Sequence, residues 1–253
     1  MGVPRCAEPL SQVEEGEEIE VDAADSGACA VCTLCHDGNL WVANAGDCRA
    51  VLGSVSDSRV TAASLSTDHK VDEPREQARI EAAGAYVRPG STEGEEFCVA
   101  RVYEAKGKTW LGPGLCISRA LGDVNAARAG VVATPEVMVH EIQRDDTYLI
   151  LASDGVWEFI DDEEAVQLVH AQCEAGHNAD EAARWLIANA ALCWQREEGN
   201  YRDDITVIVV YLKEMLANLP NLDSQSFIGS SPQGSRSSVG SGQSPPRGAS
   251  DAA

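Results

Sequence analysis

Basic residues are scarce in this chain of 253 residues. It has 19 lysines and arginines against 41 aspartates and glutamates, a formal net charge of −22. Nucleic acids and anionic membranes are bound through basic patches, so this composition argues against both as main partners. The same charge is compatible with a site that collects divalent cations, although it also serves plain solubility.

Long apolar runs are also missing. No segment reaches the roughly 18 consecutive apolar residues that a membrane-spanning helix needs. The first ten residues, MGVPRCAEPL, lack the apolar core of a secretory signal. An odd number of cysteines, nine, then favours reduced and mostly buried thiols. We therefore expect a protein of the cytoplasm or nucleus. We also expect it to be a monomer.

One cysteine cluster has spacing that is typical of metal sites: Cys29, Cys32 and Cys35 are followed by His36. However, the surrounding residues predict a β-strand, in which successive side chains point to opposite faces. Cys29 and Cys32 would then face opposite sides and could not bind the same ion. We predict that these cysteines do not form a metal site.

Composition divides the chain into three parts. Residues 1–25 contain eight acidic residues and one arginine, which predicts a disordered acidic lead-in. Residues 220–253 contain ten serines, five glycines and four prolines, which predicts a disordered tail from about residue 215. The folded domain is therefore expected at 26–214.

Within that domain, short β-rich stretches alternate with helical ones. Strands are predicted at 27–34, 39–45, 49–55, 131–132 and 137–142, with turns at Asp37-Gly38 and Gly46-Asp47. Helices are predicted at 73–83, from Asp161 or Asp162 to about 174, and from Asn178 to about 196. This order favours the α+β class with mostly antiparallel sheets.

Two aspartates follow or precede the most apolar stretches. Asp154 comes directly after the predicted strand 148–153, and Asp203 precedes the predicted strand 205–212. Both stretches predict buried central strands. If the strands are antiparallel neighbours, Asp154 and Asp203 share one sheet edge, where two carboxylates either repel or hold a hard cation. We favour the cation.

Several other polar residues lie in predicted turns or loops. Asp47 suits either a turn or a metal ligand, and the triplet 68–70 and Asp123 are expected to be solvated or capping residues. Arg119 could pair with Asp123 or hold an anion. The sequence shows no Ser/His/Asp triad, cysteine phosphatase loop or Walker loop. Carboxylate-held Mg²⁺ or Mn²⁺ is the remaining chemistry.

A series of motifs makes the prediction specific. In order, the chain has SGACAV, ANAGDCRAV, STDHKVDEPREQARIEAAGAYV, GPGLCISRALGD, ATPEV, ILASDGVWEFI and RDDITVIVV. Together they resemble the metal-dependent serine/threonine protein phosphatases, the PPM-type or type 2C family, over about residues 26–212. The resemblance implies a sandwich of two antiparallel β-sheets flanked by helices, here incomplete.

The resemblance also implies roles for individual residues. Asp154 and Asp203 match two ligands of a two-metal Mg²⁺ or Mn²⁺ centre, and Asp47 matches an aspartate of a third, weaker site. Arg119 and Asp123 would border the flap beside the cleft. The implied substrates are phosphoproteins, whose phosphoserine and phosphothreonine are hydrolysed by metal-activated water.

The chain departs from the family pattern in two ways. DGVWE, with Glu158, stands where many members have DGxWD, and the DGHGG motif, whose aspartate bridges the two metals, does not occur in the sequence. Three readings stay open: a phosphatase, a non-catalytic pseudophosphatase that binds a partner, or an incomplete piece of a longer protein. We predict that the chain as it stands is a poor phosphatase.

Overall fold

The computed structural model describes residues 24–57, 59–91, 99–104 and 111–217. The strands are β1 Gly27–Ala28, β2 Ala30–His36, β3 Asn39–Ala45, β4 Arg49–Ser56, β5 Arg59–Ser64, β6 Tyr86–Arg88, β7 Arg101–Tyr103, β8 Leu121–Gly122, β9 Glu136–Glu141, β10 Asp146–Ala152 and β11 Val207–Tyr211. The helices are α1 Pro74–Ala82, α2 Asp154–Trp157, α3 Asp162–Glu174, α4 Ala179–Glu197 and α5 Leu212–Ala217, with a 3₁₀ helix at Val124–Ala129.

The larger sheet has four antiparallel strands in the order β11-β10-β4-β5. Successive side chains along each strand point to opposite faces of this sheet, and both faces are buried. Val51 and Ile150 point to one face, toward α3 and α4, while Leu52 and Leu149 point to the other. Because both faces are covered, β10 is apolar along most of its length.

A second antiparallel sheet, β2-β3-β9, packs on the inner face of the first. Leu40 and Val42 of β3 are almost fully buried against Leu149 and Leu151 of β10. The turn between β2 and β3 is Asp37-Gly38, with φ of +48° and +73°. These values belong to the tight hairpin turn that an Asp-Gly pair favours, as predicted.

Helices α3 and α4 cover the outer face of the four-stranded sheet, and both begin at predicted caps. The Asp161 side chain accepts a hydrogen bond from the backbone N–H of Glu164, and Asn178 and Glu181 form a reciprocal capping box. Leu186 of α4 is fully buried in the layer between helices and sheet. The α+β class and the antiparallel sandwich flanked by helices are confirmed.

Three strand predictions need correction. The predicted strand at 131–132 does not form, and Val132 makes a single isolated β-bridge with Arg119. The strand 205–212 was predicted to be central, but β11 is at the edge of its sheet in the described part of the chain and is only half-buried. The stretch 27–34 is not one strand, because the β-structure is interrupted at Cys29. On one side of Cys29, β1 pairs with β8, and on the other side β2 pairs with β3. The apolar pattern of a segment indicates that it forms a strand, but it does not show which other strands pair with it on each side.

The predicted ends of the domain lie mostly outside the described residues. Of the predicted lead-in, residues 24 and 25 are described: the Ala24 carbonyl accepts a hydrogen bond from the Asn125 backbone N–H, and Asp25 contacts the Asn125 side chain. Of the predicted tail, the last turn of α5 is described. The predicted boundaries at 25 and 215 stay predictions. No helix in the described ranges is long and apolar enough to cross a membrane.

Candidate active site

Strand register brings three aspartates to one edge of the four-stranded sheet. Ala152, the last residue of β10, pairs with Val207 of β11 on one side and Arg49 of β4 on the other. Continuing both antiparallel ladders by two residues places Asp154 beside the segments that precede β11 and β4. Those segments contain Asp203 and Asp47. The antiparallel arrangement on which the sequence prediction of a shared edge depended is confirmed.

Hydrogen bonds from Ser153 fix this edge. Its backbone N–H donates to the Thr206 carbonyl at 3.1 Å, and its hydroxyl both donates to the Asp204 carbonyl and accepts from the Thr206 N–H, each at 3.1 Å. Gly155 lies so close to the Asp204 carbonyl that a Cβ atom would collide with it. Glycine after Asp154 is therefore required for the two segments to meet.

The three carboxylates interact electrostatically. Burial raises the pKa of Asp154 to about 6, with further contributions from the negative charges of Asp47 and Asp203, while Lys70 opposes the rise. At neutral pH, Asp154 is thus ionised, and its negative charge lowers the stability of the folded protein. A bound cation would offset that loss of stability.

Asp47 is 5 % exposed, and both of its oxygens have partners. The Lys70 ammonium contacts one oxygen at 2.6 Å, and the Cys29 thiol donates to the other at 3.1 Å. Burial alone would raise the pKa of Asp47, but the hydrogen bond and charge of Lys70 hold it below its ordinary value. Burial, followed by the neighbouring Asp47 and Asp154, raises the pKa of the adjacent Cys48 thiol to about 11.

The triplet 68–70 has a structural role that the sequence analysis missed. Asp68 accepts two hydrogen bonds from Arg49 at 2.7 and 2.9 Å, and His69, 1 % exposed, accepts the Gly46 N–H at its Nδ1. With Lys70 on Asp47, all three hold the loop before β4. The expectation of solvated or capping residues was therefore wrong, because sequence separation hid the contact.

The described residues fit one divalent cation better than two. Asp154 has no ion-pair partner in the described part of the chain, and Asp203 accepts one hydrogen bond, from the Asp204 N–H at 2.7 Å. Oxygen ligands of this kind suit Mg²⁺ or Mn²⁺ that keeps several waters. The described ranges contain no group of three or more His, Cys, Asp or Glu side chains arranged to hold a metal ion.

Arg119 and Asp123 are not paired with each other. Arg119 donates to both oxygens of Glu76, at 2.6 and 3.1 Å, and to the Thr134 carbonyl. The Asp123 backbone N–H donates to the Ser26 carbonyl. Pairing of Arg119 with Asp123, one of two options from sequence, is therefore wrong, because a buried carboxylate is the stronger partner for a guanidinium.

Glu76 is the centre of that second charge cluster. It is 4 % exposed and accepts hydrogen bonds from Arg79, Ser118 and Arg119. Burial alone would raise its pKa, but these donors more than offset burial and hold the pKa far below its ordinary value. The cluster joins α1 to the 118–119 segment, a contact that sequence spacing did not indicate.

Comparison with known proteins gives consistent matches. The family model described as protein phosphatase 2C matches residues 7–193. The chain is 32 % identical over 222 residues to probable protein phosphatase 2C 12 of Oryza sativa subsp. japonica, covering 83 % of this chain and 52 % of the relative. It is 33 % identical over 215 residues to probable protein phosphatase 2C 73 of Arabidopsis thaliana, covering 82 % and 53 %.

Solved structures agree on the fold. The serine-threonine phosphatase 2C from Toxoplasma gondii superposes with a TM-score of 0.61 at 24 % identity, covering 73 % of this chain and 58 % of that one. The chain thus spans about half the length of the curated relatives that it matches.

Proposed function

Because the chain belongs to the protein phosphatase 2C family, we propose that its chemistry is hydrolysis of phosphoserine and phosphothreonine in proteins. The observation that carries this proposal is the proximity of Asp47, Asp154 and Asp203 at one sheet edge. Burial, followed by the negative charges of Asp47 and Asp203, raises the pKa of Asp154 there. We further propose that the protein acts as a monomer in the cytoplasm or nucleus, on phosphoproteins and not on nucleic acids or membranes.

Asp154 and Asp203 would hold Mg²⁺ or Mn²⁺. Such an ion, when bound, lowers the pKa of a coordinated water and neutralises charge on a phosphoryl group. The contribution of the chain itself is placement. The Ser153 hydrogen bonds fix the segment that carries Asp203 against the end of β10, and Lys70 keeps Asp47 ionised and fixed beside Asp154.

Activity of this chain is proposed to be low. The described carboxylates fit one ion, and two cations at the same sheet edge, Lys70 and Arg49, are committed to Asp47 and to Asp68 and Asp162. Each missing electrostatic contribution to phosphoryl transfer is worth about 3 kcal/mol, or roughly a hundredfold in rate. We expect turnover to be several orders of magnitude below that of an intact family member.

The test is Mn²⁺-dependent hydrolysis of a phosphothreonine peptide by this chain and by its Asp154→Asn variant. Slow, Mn²⁺-dependent turnover that disappears in Asp154→Asn would support the proposal. Hydrolysis unaffected by the substitution would exclude this edge as the active site. Turnover at the rate of an intact family member would instead contradict the single-ion account.

A second candidate is a non-catalytic module that binds a phosphopeptide or protein partner. The 2.6 Å ion pair between Asp47 and Lys70 favours it, because a carboxylate satisfied by lysine and by the Cys29 thiol has little need of a metal. Binding of the same phosphothreonine peptide in EDTA, without hydrolysis in Mn²⁺, would favour this module over the enzyme.

A further inference from the structure

An open groove of about 790 Å³ lies at the end of α4. On one side it is lined by Ala188, Leu192 and Gln195 of α4, and on the other by Asn200, Tyr201 and Arg202 of the loop that leads to Asp203. We call it the α4 groove. Its volume lies within the range of known ligand pockets, and it belongs to the loop that supplies a site carboxylate.

The α4 groove is lined by polar and apolar side chains in similar measure, and large apolar side chains are exposed in it and beside it. Leu192 is 63 % exposed and Tyr201 60 % exposed, and Trp185, one turn before Ala188, is 50 % exposed. Trp185, Ala188 and Leu192 follow the i, i+3, i+7 spacing of one helix face. The opposite face of α4 contains Leu186 and is already buried on the sheet. A contiguous exposed apolar strip of this kind is typical of a binding surface.

Aromatic contacts connect the α4 groove to the candidate active site. The Tyr201 ring packs edge-on against the Trp194 ring, with centroids 5.7 Å apart. The Trp194 indole N–H donates to the Gly155 carbonyl at 2.7 Å, directly after Asp154. Trp194 is itself buried. The groove wall is therefore held in a fixed position relative to Asp154.

Arg202 is the charged residue among those that line the α4 groove, and the acidic residues Glu198, Asp203 and Asp204 lie near it in the sequence. The net charge of the chain is −22, yet Arg202 is exposed and has no ion-pair partner in the described part of the chain. The neighbouring Arg196 is paired with Glu197 at 2.7 Å. An unpaired guanidinium beside an apolar strip complements a ligand that combines an apolar side chain with a carboxylate.

We propose that the α4 groove binds the substrate polypeptide beside its phosphorylated residue, with an apolar side chain against Leu192 and Tyr201 and an acidic one on Arg202. The proposal rests on the proposed function. Asp203 and Tyr201 are two residues apart, about 7 Å in extended chain. The helical stretch from Ala188 to Gln195 rises about 10 Å. An extended peptide of roughly five residues would reach from the phosphate site across the groove.

The binding experiment uses fluorescence anisotropy of labelled nonapeptides in EDTA, so that it does not depend on a metal. One peptide has phosphothreonine with a Leu-Glu pair three residues before it, and another has the pair three residues after it. The control peptide has Ala-Gln in place of the pair, and each peptide is also made without phosphate. Tests use the variants Leu192→Ser and Arg202→Gln.

Two exposed residues provide matched control variants. Leu34 in the other sheet is 61 % exposed, so Leu34→Ser makes the same change away from the α4 groove. Arg128, exposed in the 3₁₀ helix, provides Arg128→Gln. The proposal expects one Leu-Glu peptide to bind about tenfold more tightly than Ala-Gln. That gain should vanish in Leu192→Ser, shrink severalfold in Arg202→Gln and persist in both controls.

The outcomes separate this proposal from the proposed function. Flank-dependent binding without any Mn²⁺-dependent hydrolysis would support the groove and reject the enzyme. Hydrolysis with equal affinity for all flanks, or an equal loss in the Leu34→Ser control, would overturn the groove and leave the enzyme standing. A dimer in sedimentation that Leu192→Ser abolishes would show that a second copy occupies the groove, and would also overturn the proposal.

Discussion

Removing the charge of Asp154 should stabilise the metal-free protein above pH 6. The folded protein raises the pKa of this group from 3.8 to about 6, mainly by burial and then through Asp47 and Asp203. Between these pH values the folded state binds more protons than the unfolded state, so this group lowers stability as pH rises. The cost is complete above pH 6 and absent below 3.8.

The magnitude follows from the same shift. A difference of about two pH units corresponds to about 3 kcal/mol at most, and solvent screening of a partly exposed group reduces it to about 1–2 kcal/mol. Asp154→Asn should therefore raise the melting temperature by roughly 2–8 °C at pH 8. At pH 4 the two proteins should melt almost together.

The assay is differential scanning fluorimetry in EDTA at both pH values, with Asp145→Asn as the control. Asp145 is exposed just before β10, at the end of the strand opposite to Asp154. Added Mn²⁺ should raise the melting temperature of the unsubstituted chain and not that of Asp154→Asn. Equal or lower stability of Asp154→Asn at pH 8 would refute the account of a carboxylate held at a cost.

Three other changes test the rest of the fold. Glu76→Gln should lower the free energy of unfolding by about 3 kcal/mol in urea titrations, because it leaves the partly buried guanidinium groups of Arg79 and Arg119 without a counter-charge; a loss under 1 kcal/mol would be inconsistent with this role. Purified protein should retain no zinc by elemental analysis, because Cys32 and Cys35 of β2 point to opposite faces of the sheet and the Cys29 thiol contacts Asp47; stoichiometric zinc lost in Cys32→Ser would contradict this. Deleting the chain from Pro220 should leave the melting temperature unchanged, since a Ser-rich segment cannot bury a core, and a drop of many degrees would reject the predicted boundary.

Elements with strong local signals could be predicted from sequence. The capping residues Asp161 and Asn178 mark the starts of α3 and α4, and Asp37-Gly38 forms the predicted turn. These signals depend on neighbours within about four residues, so one sequence suffices. The edge position of β11 could not be predicted, because an apolar pattern does not tell which strands pair on each side.

The residues of the candidate site that lie at strand ends could be predicted from the sequence. Asp154 and Asp203 flank apolar strands, and antiparallel pairing alone brings them to one edge. Lys70 and Cys29 could not be found in this way, since they approach Asp47 from loops 23 and 18 residues away. Such contacts depend on the packing of one sheet on the other, which has no local pattern in the sequence.

Charge balance at the edge supports one cation in preference to two. Asp47, Asp154 and Asp203 contribute three negative charges when ionised, and Lys70, which opposes the rise in the pKa of Asp154, contributes one positive charge. The remaining two negative charges equal the charge of one divalent ion. A second ion would leave an excess of positive charge in a partly buried site, where repulsion between two such ions is poorly screened. A second ion would therefore need an additional carboxylate placed between the two ions.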